Sequence, residues 1–139
     1  MTIASILRRH GTCPNTVPPT VTVAEVARTL AERRAGAVLV ADREPARREQ
    51  VLGIVSERDI VRSLASVGAA TLEMTAGQLM TRALRTATLE TTLDEAMALM
   101  TAGRFRHLPV FDHGTLAGVV SLRDVAEAHV RERMASLAA

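Results

Sequence analysis

The heptapeptide GIVSERD at residues 53–59 returns as GVVSLRD at residues 118–124, with five of seven positions identical. In each copy, a glycine and two apolar residues precede Ser-x-x-Asp, which is the pattern of a strand that ends where a capped helix begins. A glycine within a strand permits close approach of another group to the backbone. The duplication therefore predicts two copies of one strand–helix unit within the chain.

The sequence upstream of each heptapeptide repeats as well. The segments that begin at Thr22 and Thr92 share an apolar stripe at positions i, i+3, i+4 and i+7, which is typical of a half-buried helix. Each begins with a T-x-x-E capping box. The segment 12–21 fits either a loop or an edge strand. Strands are predicted, as two antiparallel hairpins, at residues 37–41 with 51–55 and 107–111 with 116–120.

The two copies differ in length at the turn of the hairpin. The first carries DREPARREQ at residues 42–50, where the second has the short turn 112–114. Length changes confined to a turn are expected in a repeated fold. We predict one repeat in residues 1–68 and another in residues 69–139, where a T-x-x-Q box at Thr75 opens a short helix. Each copy is too small for a good core, so the two are expected to pack on each other.

Composition excludes several functional classes. All 17 basic residues are arginine, so neither a lysine Schiff base nor a P-loop lysine is available. Two phenylalanines are the only aromatic residues, which argues against nucleic-acid platforms built on stacked rings. Because the net charge is only +2 and acids are interspersed with the arginines, binding to nucleic acid is not expected.

No group of residues in the sequence forms a recognisable catalytic or metal site. His10 and the single cysteine, Cys13, have the spacing of metal ligands, but a four-ligand zinc site cannot be completed locally, and no metal is expected. A nucleophile–base pair and a catalytic carboxylate pair are missing, so we expect no enzymatic activity. Without an apolar span or a signal-cleavage pattern, a cytoplasmic protein with no membrane contact is expected.

The Ser-x-x-Asp pairs have two interpretations. The serine begins a helix, where free N–H groups and the helix dipole favour an anion such as phosphate. The aspartate, one turn later, could accept hydrogen bonds from a ribose diol. The same residues also form a capping box, which would be duplicated with the fold whatever the function. The residues alone leave both interpretations open.

Taken together, the duplicated elements resemble a tandem pair of CBS domains, or Bateman module, especially small stand-alone bacterial CBS-domain proteins. The elements are TVPPTVTVAEV (16–26) with TATLETTLDEA (86–96), GAVLV with RHLPV, and the two heptapeptides. The resemblance implies an α/β (α+β) fold of two β-α-β-β-α repeats, packed as a pseudo-two-fold pair. It also implies a homodimer of two such modules.

The same resemblance implies a regulatory sensor that binds an adenine nucleotide and performs no catalysis. AMP is the first expectation; ADP, ATP, NAD(H) and S-adenosylmethionine are alternatives, and no further cofactor is required. The regulated target would be another protein, whose identity the sequence does not indicate. The alternative is a ligand-independent module for protein interaction or assembly, in which Ser-x-x-Asp only caps helices.

The resemblance further implies two nucleotide clefts between the repeats, one offered by each copy. The Thr-x-x segment before the first helix lines the base, the first hairpin strand contacts adenine, and the serine and aspartate hold phosphate and ribose. We add three arginines as phosphate partners, because arginine binds phosphate through two parallel hydrogen bonds. The first cleft is assigned Thr16, Val17, Pro18, Ala37, Val38, Leu39, Ser56, Arg58 and Asp59. The second is assigned Thr86, Ala87, Thr88, Arg106, His107, Leu108, Pro109, Ser121, Arg123 and Asp124.

The two predicted clefts are not identical. Leu39 in the first copy replaces Pro109 of the second, and Gly36 stands where the second has Arg106. The first cleft therefore lacks an arginine near the strand that contacts the base. We expect the second cleft to bind phosphate more tightly.

Overall fold

The computed structural model describes residues 1–10, 16–43 and 46–138. The chain folds as two compact units. The first unit is Pro14–Leu84, and the second unit combines Met1–Cys13 with Arg85–Ala139. Within the described residues, no helix is long and apolar enough to cross a bilayer.

The described residues form α-helices, strands and short 3₁₀ helices at Arg48–Gln50 and Gly68–Glu73. The α-helices are α1 (Ile3–His10), α2 (Val23–Arg33), α3 (Glu57–Val67), α4 (Ala76–Leu79), α5 (Leu93–Gly103) and α6 (Leu122–Ala138). The strands are β1 (Thr16–Val17), β2 (Ala37–Ala41), β3 (Val51–Ser56), β4 (Ala87–Thr88), β5 (His107–Asp112) and β6 (Thr115–Ser121).

Each unit is built on a three-stranded sheet with the first hairpin strand at its centre. The order is β1-β2-β3 in the first unit and β4-β5-β6 in the second. The short leading strand is parallel to the central strand, and the hairpin is antiparallel. The predicted hairpins and the mixed α+β fold class are confirmed. The segment 12–21, left open as loop or edge strand, contains β1, and its residues 12–15 lie outside the described residues.

The two cores are aliphatic, as the composition requires. The stripe of α2 is buried through Val23, Val26 and Leu30, which pack in the core of the first unit. The stripe of α5 is buried in the second unit. Thr22 and Thr92 each accept a hydrogen bond from the backbone N–H three residues later. The predicted box is reciprocal at Thr92, whose N–H donates to Glu95 Oε1 at 3.2 Å, whereas at Thr22 only the first half is formed. Both helix predictions are confirmed.

A four-residue segment beginning Met-Thr lies near the start of each predicted repeat and belongs to the compact unit that holds the other repeat. We call residues 1–4 and 74–77 the Met-Thr segments. The N–H of Ile3 donates to Thr91 O at 2.9 Å in the second unit, and the N–H of Ala76 donates to Val21 O at 2.8 Å in the first. The compact units therefore cross the predicted boundary at residue 68. That boundary stays a prediction about the order of the repeats along the chain.

The glycine of each heptapeptide lies against the protein's own chain. A Cβ at Gly53 would lie 2.7 Å from Thr81 O and 2.7 Å from Met80 Sδ. A Cβ at Gly118 would lie 2.9 Å from a methyl carbon of Leu7. The expected close approach to the strand is therefore made by the Met80 side chain and the Thr81 carbonyl in the first unit, and by the Leu7 side chain of α1 in the second.

We expect Gly53→Ala to lower the free energy of unfolding by about 1–3 kcal/mol, because overpacking against a backbone oxygen forces the chain to move. Gly118→Ala should cost less, since the end of the Leu7 side chain can rotate away. Urea denaturation of the two variants measures the difference. Equal costs would contradict this account of the two glycines.

Candidate functional site

In the first unit, the Ser-x-x-Asp motif lies at one end of the sheet. Ser56, the last residue of β3, pairs with Ala37, the first residue of β2. Thr16 begins β1 and pairs with Leu39, two residues further along β2. Because β1 and β2 start where β3 ends, the sheet brings these predicted site residues to one edge. We call Thr16, Ala37, Ser56 and Asp59 the first polar corner.

The second unit repeats this arrangement. Ser121, the last residue of β6, pairs with His107, the first residue of β5. Thr86 lies one residue before β4, whose first residue pairs with the fourth residue of β5. We call Thr86, His107, Ser121 and Asp124 the second polar corner. Each corner is formed within one unit.

A reciprocal capping box closes at each corner. The N–H of Ser56 donates to Asp59 Oδ2 at 2.8 Å, and the N–H of Asp59 donates to Ser56 Oγ at 3.2 Å. The corresponding distances for Ser121 and Asp124 are 3.0 and 3.1 Å. The capping interpretation is therefore confirmed in both copies. It engages only one carboxylate oxygen of each half-buried aspartate, and within the described residues Oδ1 has no hydrogen-bond partner.

The helix N-terminus is less open to an anion than expected. At the start of α3 the N–H of Ser56 goes to Asp59, that of Glu57 donates to Gly36 O at 3.0 Å, and that of Asp59 goes to Ser56. Among the described residues, only the N–H of Arg58 in this turn has no acceptor. The chain itself therefore satisfies most of the N–H groups that were expected to be free at this helix start, and the phosphate contact stays a prediction.

The hydrogen bond from Glu57 N–H to Gly36 O also fixes the residue that precedes the central strand β2. In the second unit, the N–H of Leu122 donates to Arg106 O at 2.7 Å. This bond is the counterpart of the one from Glu57 to Gly36. The chain entering β2 or β5 is therefore held next to the capped aspartate in both units.

The predicted site residues on the central strands are deeply packed. Val38, Leu39 and Leu108 have no exposed surface. Their side chains are enclosed by protein, so these positions can offer a ligand only backbone groups. β1 pairs with β2 only at Leu39 and Val40. In the described part of the chain, Ala37 and Val38 therefore have a strand neighbour on one side only.

The three candidate arginines are exposed but not equally available. Arg123 donates from Nε to Glu127 Oε1 at 3.2 Å. Arg58 and Arg106 have no ion pair with another described residue. Arg106 immediately precedes β5, next to its first residue, His107. A phosphate at the second corner would therefore meet Arg106 without first breaking an ion pair.

Thr16 carries an unpartnered hydroxyl. Its Oγ1 is buried and has no hydrogen-bond partner among the described residues. A buried polar group without a partner costs about 1–3 kcal/mol. Thr86, its counterpart in the second corner, carries no such orphan. This difference favours a ligand in the first corner, whereas the position of Arg106 favours the second.

The described residues also contain no candidate metal site. Among the described residues, no group of three or more His, Cys, Asp and Glu could hold a metal ion. Cys13, whose spacing from His10 resembles that of metal ligands although no metal was expected, lies outside the described residues. Sequence reasoning also missed the Met-Thr segments. The dipeptide Met-Thr occurs at residues 1–2, 74–75, 80–81 and 100–101, so its recurrence in the sequence could not have singled out these two segments.

Comparison with known proteins identifies the fold. A family model described as the CBS domain matches residues 4–66 and 76–131. The crystal structure of a CBS-domain containing protein from Agrobacterium tumefaciens is 40% identical with a TM-score of 0.85, covering 93% of this chain and 99% of that one. A CBS domain protein from Pyrobaculum aerophilum, complexed with AMP, is 30% identical with a TM-score of 0.75, covering 89% of each chain.

Two curated relatives are longer than this chain. A mitochondrial CBS domain-containing protein of Arabidopsis thaliana is 34% identical over 118 residues, which are 84% of this chain and 56% of that protein. An uncharacterized 17.7 kDa protein of Acidianus ambivalens is 34% identical over 113 residues, 81% of this chain and 65% of that one. The chain thus spans less than two thirds of each. From its duplicated units and these matches, the chain belongs to the CBS-domain family and carries two CBS domains in tandem.

Proposed function

We propose that this protein is a regulatory module that senses an adenine nucleotide, bound at one or both polar corners, and performs no catalysis. The observation that carries the proposal is the duplicated aspartate. In Asp59 and Asp124, one carboxylate oxygen is held by the capping box and the other has no partner within the described residues. A carboxylate held in this way presents a preoriented acceptor to a ligand.

A ribose diol matches this acceptor. Two neighbouring hydroxyls can donate to one carboxylate, as an acidic residue does for ribose in dinucleotide-binding folds. The base would meet the backbone of the central strand beside Ala37 or His107, because the neighbouring Val38, Leu39 and Leu108 have buried side chains and can offer only N–H and C=O groups. Phosphate charge would be met by Arg58 or Arg106, because the helix N–H groups are already used.

The AMP complex of the Pyrobaculum aerophilum protein supports an adenosine ligand for this chain. That protein shares 30% of its sequence with this chain over 89% of both. AMP is therefore the first ligand to test, with ADP, ATP, NAD(H) and S-adenosylmethionine as alternatives. A ligand of this kind regulates only through different affinities for two states of the protein.

A homodimer is the second part of the proposal. Large apolar side chains are exposed on both closing helices, among them Val61 on α3 and Val130 on α6, which are 63% and 59% exposed. Several large apolar side chains exposed along one helix indicate an interaction site. In a two-fold dimer both subunits use the same surface patch, so a second copy of the chain can cover these side chains with its own.

The competing function is ligand-independent assembly. The closed capping boxes favour it, because the Ser-x-x-Asp residues already have a structural role. Thermal unfolding with AMP, ADP, ATP, NAD, NADH and S-adenosylmethionine, and with GMP as the base control, separates the two. The protein is first unfolded and refolded to remove carried-over ligand. A ligand at a hundred times its Kd adds about 2.7 kcal/mol, which moves Tm by several degrees. No shift with any compound would favour assembly.

The orphan hydroxyl gives a more specific prediction. We expect Thr16→Val to raise Tm without ligand, since an isosteric apolar group removes a buried, unsatisfied oxygen worth about 1–3 kcal/mol. The same change should reduce the Tm shift produced by AMP. Thr86→Val is the matched control, for which no gain without ligand is expected. A Thr16→Val protein less stable than wild type would contradict the orphan assignment.

A further inference from the structure

The two Met-Thr segments make the same backbone hydrogen bonds in both units. In each, one carbonyl of the segment accepts from the first residue of a repeat helix, and two N–H groups of the segment donate to the loop before that helix. In the first unit the bonds are Val23 N–H to Met74 O at 2.8 Å, Ala76 N–H to Val21 O at 2.8 Å and Gly77 N–H to Pro19 O at 2.9 Å. In the second unit they are Leu93 N–H to Met1 O at 3.3 Å, Ile3 N–H to Thr91 O at 2.9 Å and Ala4 N–H to Leu89 O at 3.1 Å.

The loops that these segments hold continue directly from the polar corners. Pro19 follows Thr16, Val17 and Pro18, and Leu89 follows the corresponding residues of the second unit. Within its own residues, the first loop makes one longer backbone bond, from Val21 N–H to Pro18 O at 3.4 Å. Two adjacent prolines deprive it of N–H donors. The position of this loop relative to the sheet therefore depends largely on its hydrogen bonds to residues 74–77.

The two units differ at the residue that contacts the loop. A Cβ at Gly77 would lie 3.2 Å from both Cβ and O of Pro19. This approach is tighter than an ordinary van der Waals contact, so an added methyl would push the loop by a few tenths of an ångström. The second unit has Ala4 at the matching position and accommodates its methyl group. The closer approach is therefore specific to the first unit.

We infer that the Met-Thr segments are positioning elements for the loops that lead out of the polar corners, and that Gly77 sets the position of the loop beside Thr16. The inference rests on the proposed nucleotide site. A graded displacement of the loop should reduce ligand affinity in proportion, because small misplacements of binding groups are costly. Since alanine is the better helix former, Gly77→Ala need not lower stability.

The test is AMP titration by calorimetry on the full chain, in an Asp124→Ala background that leaves the first corner to be measured by itself. We expect Gly77→Ala to raise the Kd about threefold and Gly77→Val about tenfold, as a displacement well below 1 Å implies. Ala4→Gly, the matched change in the other unit, should leave this Kd within about twofold. The midpoint of urea unfolding without ligand should not follow the Kd series.

Three results would overturn the inference, and they have different meanings. If AMP binds in this background and Asp59→Ala abolishes the binding, but both Gly77 variants keep the wild-type Kd, the positioning role fails and the nucleotide site stands. If Ala4→Gly weakens the first corner as much as Gly77→Val does, the effect is not transmitted by this contact. If the wild-type protein binds no AMP, the proposed function fails and the inference fails with it.

Discussion

Asp59→Ala and Asp124→Ala are each expected to weaken AMP binding at their own corner by about 10- to 100-fold, since a lost charge-assisted hydrogen bond costs about 1–3 kcal/mol. The aspartates are chosen because one oxygen of each is fixed by a backbone N–H at 2.8 or 3.0 Å. The other oxygen is then preoriented for the ribose. The double variant should bind no AMP in the range that calorimetry measures.

Two controls separate ligand contact from loss of a helix cap. Alanine also removes the capping acceptor, which costs about 1 kcal/mol of stability. Asparagine retains one oxygen for the serine N–H, so Asp124→Asn should keep the melting temperature closer to wild type while still losing affinity. Glu57→Ala removes an exposed acid beside the first corner and should change neither quantity much. An Asp124→Ala protein that is folded and binds AMP as before would show that the second corner is wrongly assigned.

The same pair of variants also ranks the two corners. Arg106, beside the second corner, predicts tighter phosphate binding there. The orphan Oγ1 of Thr16 predicts that ligand binding relieves a cost only in the first. If Arg106 contributes more to the affinity than Thr16 does, the second corner is the tighter site and Asp124→Ala removes it. Loss of the tighter site in Asp59→Ala would instead mean that the unsatisfied hydroxyl and the base-lining loop govern affinity.

Val61→Glu and Val130→Glu are expected to dissociate the proposed homodimer, raising its dissociation constant about 30-fold or more, as the loss of a central anchor worth about 2 kcal/mol implies. In a two-fold interface, each substitution places a charge on both copies of the same patch. Light scattering across a concentration series gives the constant. The exposed large apolar residues of these helices are Val61, Leu64 and Val67 on α3, and Val130, Met134 and Leu137 on α6.

The control for this experiment is Thr101→Glu, which adds the same charge at an exposed position of α5 and should leave the mass unchanged. A wild-type protein that is monomeric at working concentration would reject the dimer. If only one of the two valine variants dissociates, the interface is formed by that helix alone. Ligand titrations on the dissociated variant then tell whether AMP binding needs the dimer.

Much of this fold follows from local sequence alone. The capping boxes at Thr92 and Ser121 join residues three apart, and the stripe of α2 recurs within two turns. Such patterns act over a few residues, so residue type and spacing predict them directly. The second hairpin follows in the same way, because a short turn leaves adjacent strands little choice of partner. The first hairpin, whose connection at residues 42–50 is longer, follows from its match to the second. The duplicated Ser-x-x-Asp pattern also identified Ser56, Asp59 and their counterparts as candidate site residues.

Tertiary structure decided the rest. β1 is only two residues long, too short for any periodic signal, and its pairing with β2 determines that Thr16 joins the polar corner. The Met-Thr segments pack against loops about 55 to 90 residues away, where no local pattern reveals the partner. Gly36 O takes an N–H that the sequence left free for an anion. Short-range hydrogen bonds are specified by neighbouring residues, so the sequence predicts them. The position of a loop or of an unpartnered hydroxyl depends instead on contacts with segments that are distant in sequence.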